Sequence, residues 1–238
     1  MVFLPQCHST NDELMLLTKN SAVPEGMVVF TDNQIKGKGQ RGNDWISDPG
    51  RNVLMSVLLL PKFIAPASQF NLNLISGLAI VETLRRETSK KILLKWPNDV
   101  YLNEKKIAGI LIESIVRGSK IEASIVGVGL NVNQHEFSVS NATSLFIEEG
   151  AEFDKLEIME SFLCNMERWY LKLKNGVNEE ILATYHNLLM WRGEKRIFRS
   201  SKGEFEGEII GINNQGQLEI SSVNGLMTFN IKEVEFIR

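Results

Sequence analysis

Apolar residues recur along this chain with two different periods. Phe70, Leu74, Leu78, Val81 and Leu84 fall three or four apart, which puts them on one helical face and predicts a helix over Pro66–Ser89 that tolerates Gly77. Leu14 and Leu17, with Met15, give a shorter face after Ser9-Thr10-Asn11-Asp12-Glu13, where Thr10 and Glu13 have capping-box spacing. Two further helices are predicted at Asp154–Lys174 and Asn178–Leu189. Short apolar runs bounded by turn formers predict strands at Gly26–Asp32, Asn52–Leu60, Ile92–Trp96, Val100–Leu102, Lys106–Val116 and Lys120–Asn131. The links Asn103-Glu104-Lys105 and Arg117-Gly118-Ser119 are too short for a parallel return, so these strands are expected to pair antiparallel. From Arg192 onward, alternating strands are broken by turns at Ser201-Lys202-Gly203, Asn213–Gly216 and Asn224-Gly225. The fold class is therefore α+β. A mixed, mostly antiparallel sheet flanked by helices occupies residues 1–190, and a small all-β part occupies 191–238.

Composition narrows the class. A chain of 238 residues buries roughly 70% of its unfolded surface, enough for a core without disulfide or metal staples. Its 2 cysteines, Cys7 and Cys164, form no C-x-x-C pair, which argues for a reducing compartment. Cys164 shares a helical pattern with Phe162, Met166 and Trp169 and is read as a core residue. No signal peptide pattern opens the chain, and the longest apolar stretch, Val53–Leu60, is too short for a bilayer, so a cytoplasmic protein with no membrane partner is expected. A net charge of −3 argues against a general nucleic-acid binder, which must neutralise phosphates. The three histidines, His8, His135 and His186, show no metal-ligand spacing and are read as incidental.

Candidate chemistry gathers at two places. Gly37-Lys38-Gly39-Gln40-Arg41-Gly42 matches G-x-G-x-x-G after a strand. A dinucleotide fingerprint must then open a helix, but Asn43–Leu60 contains Pro49 and Gly50 and runs into a strand. No Walker A sequence occurs. What remains is a glycine-rich loop with Lys36, Lys38 and Arg41, able to close over an anion or simply to lie in solvent. The second place is Lys95-Trp96-Pro97-Asn98-Asp99, where a cation, an amide and a carboxylate end a buried strand. Taken alone, it reads more readily as a strand-terminating turn with Trp96 in the core. Small residues inside the strands that follow (Ala108, Gly109, Gly127, Gly129) signal close approach of a ligand or of another backbone, or a bulge.

Four stretches, in order over roughly residues 5 to 135, together resemble the biotin–protein ligases. They are Ser9-Thr10-Asn11, the Gly37–Gly42 loop with Trp45, Lys95–Asp99 with Lys106–Glu113, and Gly127–Asn133. The resemblance implies a fold like that of class II aminoacyl-tRNA synthetases with a C-terminal SH3-like barrel. It also implies a two-step reaction in which biotin and ATP give biotinyl-5′-AMP, and a lysine of a biotin carboxyl carrier domain then takes the biotin. Magnesium is expected with ATP, its ligands unknown, with Asp99 and Glu113 the nearby carboxylates.

The implied roles follow residue by residue. Ser9, Thr10 and Gln34 hydrogen-bond the biotin ring, with Asn11 supporting the helix and loop. Lys38, Gly39 and Gln40 wrap the biotin carboxylate and the phosphate, Gly37 and Arg41 belonging to the same loop. Lys95 is the main electrostatic catalyst, with Lys38 and Gln40 beside it at the reacting atoms. Lys106 is a further phosphate-side cation, Trp45 stacks on adenine, Asn131 reads its edge, and Gly109 and Gly129 leave room. Where the family loop often has arginine, this chain has Gln40, which supplies no bidentate cationic fork; looser retention of the adenylate follows. Because the first motif begins at Ser9, a ligase without a DNA-binding domain is expected. A homodimer through exposed sheet edges is compatible with the resemblance. Two other functions stay open: a lipoate or octanoate ligase, and a catalytically silent biotin binder.

Overall fold

The structure, a computed structural model, describes residues 1–237, apart from the Arg41 side chain. Its strands are β1 (Val2–Cys7), β2 (Val28–Gln34), β3 (Val53–Leu59), β4 (Ile92–Lys95), β5 (Asp99–Leu102), β6 (Lys105–Arg117) and β7 (Lys120–Leu130), followed by β8 (Lys195–Ser200), β9 (Gly203–Ile212), β10 (Leu218–Ser222), β11 (Gly225–Phe229) and β12 (Val234–Phe236). The helices are α1 (Thr10–Asn20), α2 (Asn71–Glu87), α3 (Leu145–Glu149), α4 (Lys155–Lys174) and α5 (Asn178–Leu188). The first seven strands form one sheet in the order β1-β2-β3-β7-β6-β5-β4, parallel at β1–β2 and antiparallel elsewhere. The one parallel pair, β1–β2, is joined through α1, a crossover long enough for the chain to return in the same direction.

Alternation along β3 and β7 sorts the two faces. Val53, Met55, Val57 and Leu59 of β3, with Val126, Val128 and Leu130 of β7, join the main core under α2 and α4. Leu54, Ser56 and Leu58, with Ile125, Gly127 and Gly129, turn to the other face, where Leu14 of α1 packs on Val29, Leu58 and Ile125. That second face carries little apolar cover beyond α1, which leaves room for a cavity.

The remaining strands form an antiparallel sheet in the order β11-β10-β9-β8-β12, with no ladder between β11 and β12. Its core (Phe198, Ile209, Ile212, Leu218, Ile220) is continuous with that of the first sheet. The two are tied by Trp96 Nε1 donating to Gly216 O at 2.9 Å and by the Ile212 amide donating to His186 Nε2 at 2.9 Å. His186 is therefore a link between α5 and β9 rather than incidental.

Three local expectations are revised. β1 escapes a pattern search because Pro5 interrupts it, yet an edge strand tolerates a residue without an N–H. The Thr10–Glu13 capping box does not form. Ser9 is the N-cap with no side-chain capping bond, and the Thr10 side chain bonds elsewhere. Cys164 is exposed, since Phe162, Met166 and Trp169 hold the buried stripe of α4 and a residue two positions after Phe162 points away from it. The turn residues Asn103 (φ 54°) and Gly118 (φ 59°) do take the left-handed conformation.

Candidate functional site

A cavity of about 520 Å³ opens on the α1 face of the sheet, at the C-terminal ends of β2 and β4 and over the middle of β6 and β7. It collects residues from all four motifs. Ser9, Thr10 and Asn11 come from the start of α1, Gln34 from β2, and Lys38, Gly39 and Gln40 from the glycine-rich loop with Trp45. Lys95 closes β4, Lys106 and Gly109 lie on β6, and Gly129 on β7.

At one end, a buried polar chain fixes α1 to the sheet. Gln34 Oε1 accepts from the Thr10 amide at 2.8 Å and from its hydroxyl at 3.2 Å. Ser56, fully buried on β3, has its hydroxyl 2.7 Å from Thr10 Oγ1 and 2.6 Å from Asn11 Oδ1. The Asn11 oxygen can only accept, so Ser56 donates there. Asn11 Nδ2 in turn donates to Glu113 Oε2 at 2.7 Å and to Leu111 O at 3.3 Å. Thus Ser9, Thr10 and Asn11 are held in one arrangement before any ligand arrives. Ser56 escapes a motif search, because it reads as a polar interruption of an apolar strand; Glu113 closes the Lys106–Glu113 motif, but its bracing of Asn11 is not legible there.

The floor under this chain is made of glycine. A Cβ on Gly127 would lie 3.0 Å from Asn11 Cγ, and one on Gly129 would lie 2.7 Å from Cζ2 and Nε1 of Trp45. On the paired strand, a Cβ on Gly109 would lie 2.9 Å from Trp45 Cζ3. These strand glycines are there because side chains from the other layer come down onto the backbone.

Cations line the other end. Lys95 Nζ stands over the rings of Tyr101 (5.5 Å) and Phe236 (5.1 Å). Lys106 Nζ pairs with Asp99 at 2.6 Å and lies 5.4 Å from the Trp45 ring centre. Lys38 bonds Asp12 of α1 at 2.5 Å, a hydrogen bond that raises its pKa and keeps it cationic. Val234 and Phe236 of β12 also border the cavity, so the C-terminal sheet reaches the site, which no sequence pattern signals.

Two expected residues stand apart from this lining. Gly37 borders a neighbouring hollow behind the loop, where it packs against the Trp45 carbonyl. Asn131 is buried just beyond the cavity, its Nδ2 donating to Thr143 O at 2.9 Å, while its Oδ1 has no partner. Trp45 Nε1 is likewise buried and unpartnered. A buried orphan donor and a buried orphan acceptor are costly unless a ligand completes them. The Arg41 side chain lies outside the described residues. No helix among the described residues is long and apolar enough to cross a membrane.

Known proteins show the same organisation. A family model described as the biotin/lipoate A/B protein ligase family matches residues 3–131. A biotin–[acetyl-CoA-carboxylase] ligase of Paracoccus denitrificans is 28% identical, the match covering 98% of this chain and 99% of that protein. The bifunctional ligase/repressor BirA of Bacillus spizizenii is 27% identical over 99% of this chain and 73% of its own. The biotin protein ligase of Aquifex aeolicus, solved with biotin and ATP, superposes with a TM-score of 0.83 at 30% identity, covering 100% of this chain and 98% of that one. The matched model spans the α1 motif, the glycine-rich loop and the glycine floor, the parts that build the cavity; this chain belongs to the biotin/lipoate A/B protein ligase family.

Proposed function

We infer that this protein is a biotin–protein ligase, which condenses biotin with ATP to biotinyl-5′-AMP and pyrophosphate and then passes biotin to a lysine of an acceptor protein. One observation carries the reading. A single cavity holds a pre-bonded set of polar groups at one end and, toward the other, cations beside an aromatic that rests on a glycine floor. That sequence of environments suits a ureido ring, then a carboxylate meeting a phosphate, then a purine.

The first step forms a bond between a biotin carboxylate oxygen and the α-phosphorus, and breaks the bond to the β-phosphate. Two anions must meet, so the chain's contribution is placement and positive charge. Ser9, Thr10 and Gln34 hold the ring end, and a site of paired polar groups discriminates against ligands that leave them unpaired. Lys95 neutralises the carboxylate and α-phosphate oxygens, with Lys38 and Gln40 closing from the loop and Lys106 on the phosphate side. Trp45 stacks on adenine above Gly109 and Gly129, and the free Asn131 oxygen accepts from the adenine amino group. In the second step a neutral lysine amine attacks the acyl carbon of the mixed anhydride. The bond to the phosphate oxygen breaks, and AMP leaves with both electrons.

The carboxylates left as magnesium candidates do not fit that role. Asp99 is paired with Lys106, and Glu113 accepts from Asn11. No group of three or more His, Cys, Asp or Glu able to hold a metal occurs among the described residues. Magnesium accordingly enters as the ATP complex, held by phosphates. Residues 1–190 form the catalytic part and 191–238 a small β domain of SH3-like type. A biotin carboxyl carrier domain is the acceptor, and the cytoplasm the compartment.

The test is ATP–pyrophosphate exchange with biotin, lipoate or octanoate, in the wild type and in Lys95→Ala. Biotin-dependent exchange that falls at least 100-fold in the variant is expected; preformed electrostatic groups are worth that much at a developing anion. Exchange with lipoate instead would reassign the substrate, and no exchange with any acid would leave a binding protein.

A further inference from the structure

The proposed nucleotide end is built from two arms that are far apart in sequence. One is the segment from Trp45 to Asn52, which delivers the indole. The other runs from Asn131 to Ser144 and delivers the carboxamide with the free oxygen. Neither arm is a regular element, so each needs something to hold it.

Two buried carboxamides join them. Asn52 is 1% exposed and Gln134 3% exposed. Gln134 Oε1 accepts from the Asp48 amide at 3.1 Å and from Asn52 Nδ2 at 2.5 Å. Asn52 Oδ1 accepts from the Val132 amide at 3.0 Å, next to Asn131. Gln134 Nε2 donates to Glu136 O at 2.8 Å, and its backbone carbonyl accepts from Ser144 Oγ at 2.6 Å. Every polar atom of both side-chain amides is thus used, and every bond lies within or between the two arms. Asn133 N donates to Arg51 O at 2.8 Å alongside. Buried, fully satisfied networks of this kind fix one arrangement, and a displacement of about 1 Å at a reacting group can cost on the order of 100-fold in rate.

We propose that Gln134 and Asn52 are positioning residues for ATP: their clasp sets the distance between Trp45 and Asn131, and so the width of the adenine slot. The proposal rests on the nucleotide reading above. It assigns no contact with the substrate to either residue.

Gln134→Met keeps the length of the side chain and removes the acceptor, while Asn52→Leu removes the other half. ATP affinity is measured by calorimetry on the biotin-loaded protein, with biotin affinity and thermal midpoint alongside. Each single variant is expected to weaken ATP binding 10- to 100-fold and to leave biotin binding within threefold. The double variant is expected to be no worse than the weaker single one, because both break one device. Equal losses for ATP and biotin, or additive losses in the double variant, would overturn the proposal and mean general destabilisation. Hydrogen exchange on the wild type needs no variant: ATP must slow exchange at the Asp48 and Val132 amides together, and slowing at one arm alone overturns the clasp. A wild type that binds no ATP would end the functional reading itself, whereas ATP binding unaffected by either variant would end only this inference.

Discussion

The ammonium of Lys95, at the end of β4, lies 5.1 Å from the centre of the Phe236 ring, which arrives from the last strand of the C-terminal sheet. With Tyr101 at 5.5 Å, two aromatic faces hold the cation that the reaction needs at a defined place. A partly desolvated cation–π contact is worth about 1–2 kcal/mol, or roughly 5- to 30-fold. Phe236→Leu is therefore expected to lower kcat for biotinyl-AMP formation by about 10-fold with little change in KM for biotin. Phe236 also packs on Trp191 and Phe198, so a melting curve must accompany the kinetics. Unchanged kcat in a folded variant would make Phe236 a packing residue only.

The glycine floor predicts a separation of the two substrates. An alanine at Gly127 meets the Asn11 carboxamide, and one at Gly129 meets the Trp45 indole. Gly127→Ala should raise KM for biotin at least 10-fold, and Gly129→Ala should do so for ATP, each with a smaller effect on the other substrate. Steady-state titration of both substrates reads this directly. Identical effects of the two substitutions would contradict the division of the cavity.

Gln40 borders the cavity from the short helical turn Gln40–Gly42. Replacing it with arginine adds a charge-assisted, bidentate donor toward the phosphate, worth about 1.5–3 kcal/mol where it engages. Gln40→Arg should slow release of biotinyl-5′-AMP by roughly 10-fold or more, measured by chasing bound labelled adenylate. An unchanged release rate would show that the residue at this position does not govern retention.

His186 makes stability depend on pH. Burial lowers its pKa, with Arg192 adding to the effect, although the Ile212 amide donating to Nε2 acts on it as well. In the native state it accepts at Nε2 and is neutral, whereas the unfolded chain takes up a proton near the ordinary value of about 6.5. The unfolded state then binds more protons, so stability rises with pH through that window and falls as pH drops below about 6.5. The thermal midpoint should decline between pH 7 and 5, and His186→Gln should flatten the slope. A slope of the same size in the variant would assign the effect to carboxylates.

How much of this could be read from the chain differs by element. The long helices α2, α4 and α5, the β6–β7 hairpin and the C-terminal hairpins follow from apolar period and turn chemistry, since local spacing alone decides which face is buried. The motifs around Ser9, Gly37, Lys95 and Gly127 were equally legible, as a resemblance, and the fold brings all four to one cavity. β1 was hidden by Pro5, and α3 spans only Leu145–Glu149, too short to show a period. Cys164 was misplaced because a residue between helical core positions looks apolar in sequence whichever way it points.

The sequence by itself determined which of the longer segments are helix and strand, where small residues interrupt the strands, and which family's motifs the chain resembles. Each of these depends on the order of residues within a segment, or on the order of short segments along the chain. Only the tertiary structure decided that Ser56 and Glu113 brace Asn11, that Asp12 holds Lys38, that Phe236 stands over Lys95, and that Gln134 clasps Asn52. Each of those pairs joins segments whose separation along the chain has no period and no spacing rule. Their meeting is set by sheet order and register, which come from the burial of whole faces rather than from any local pattern.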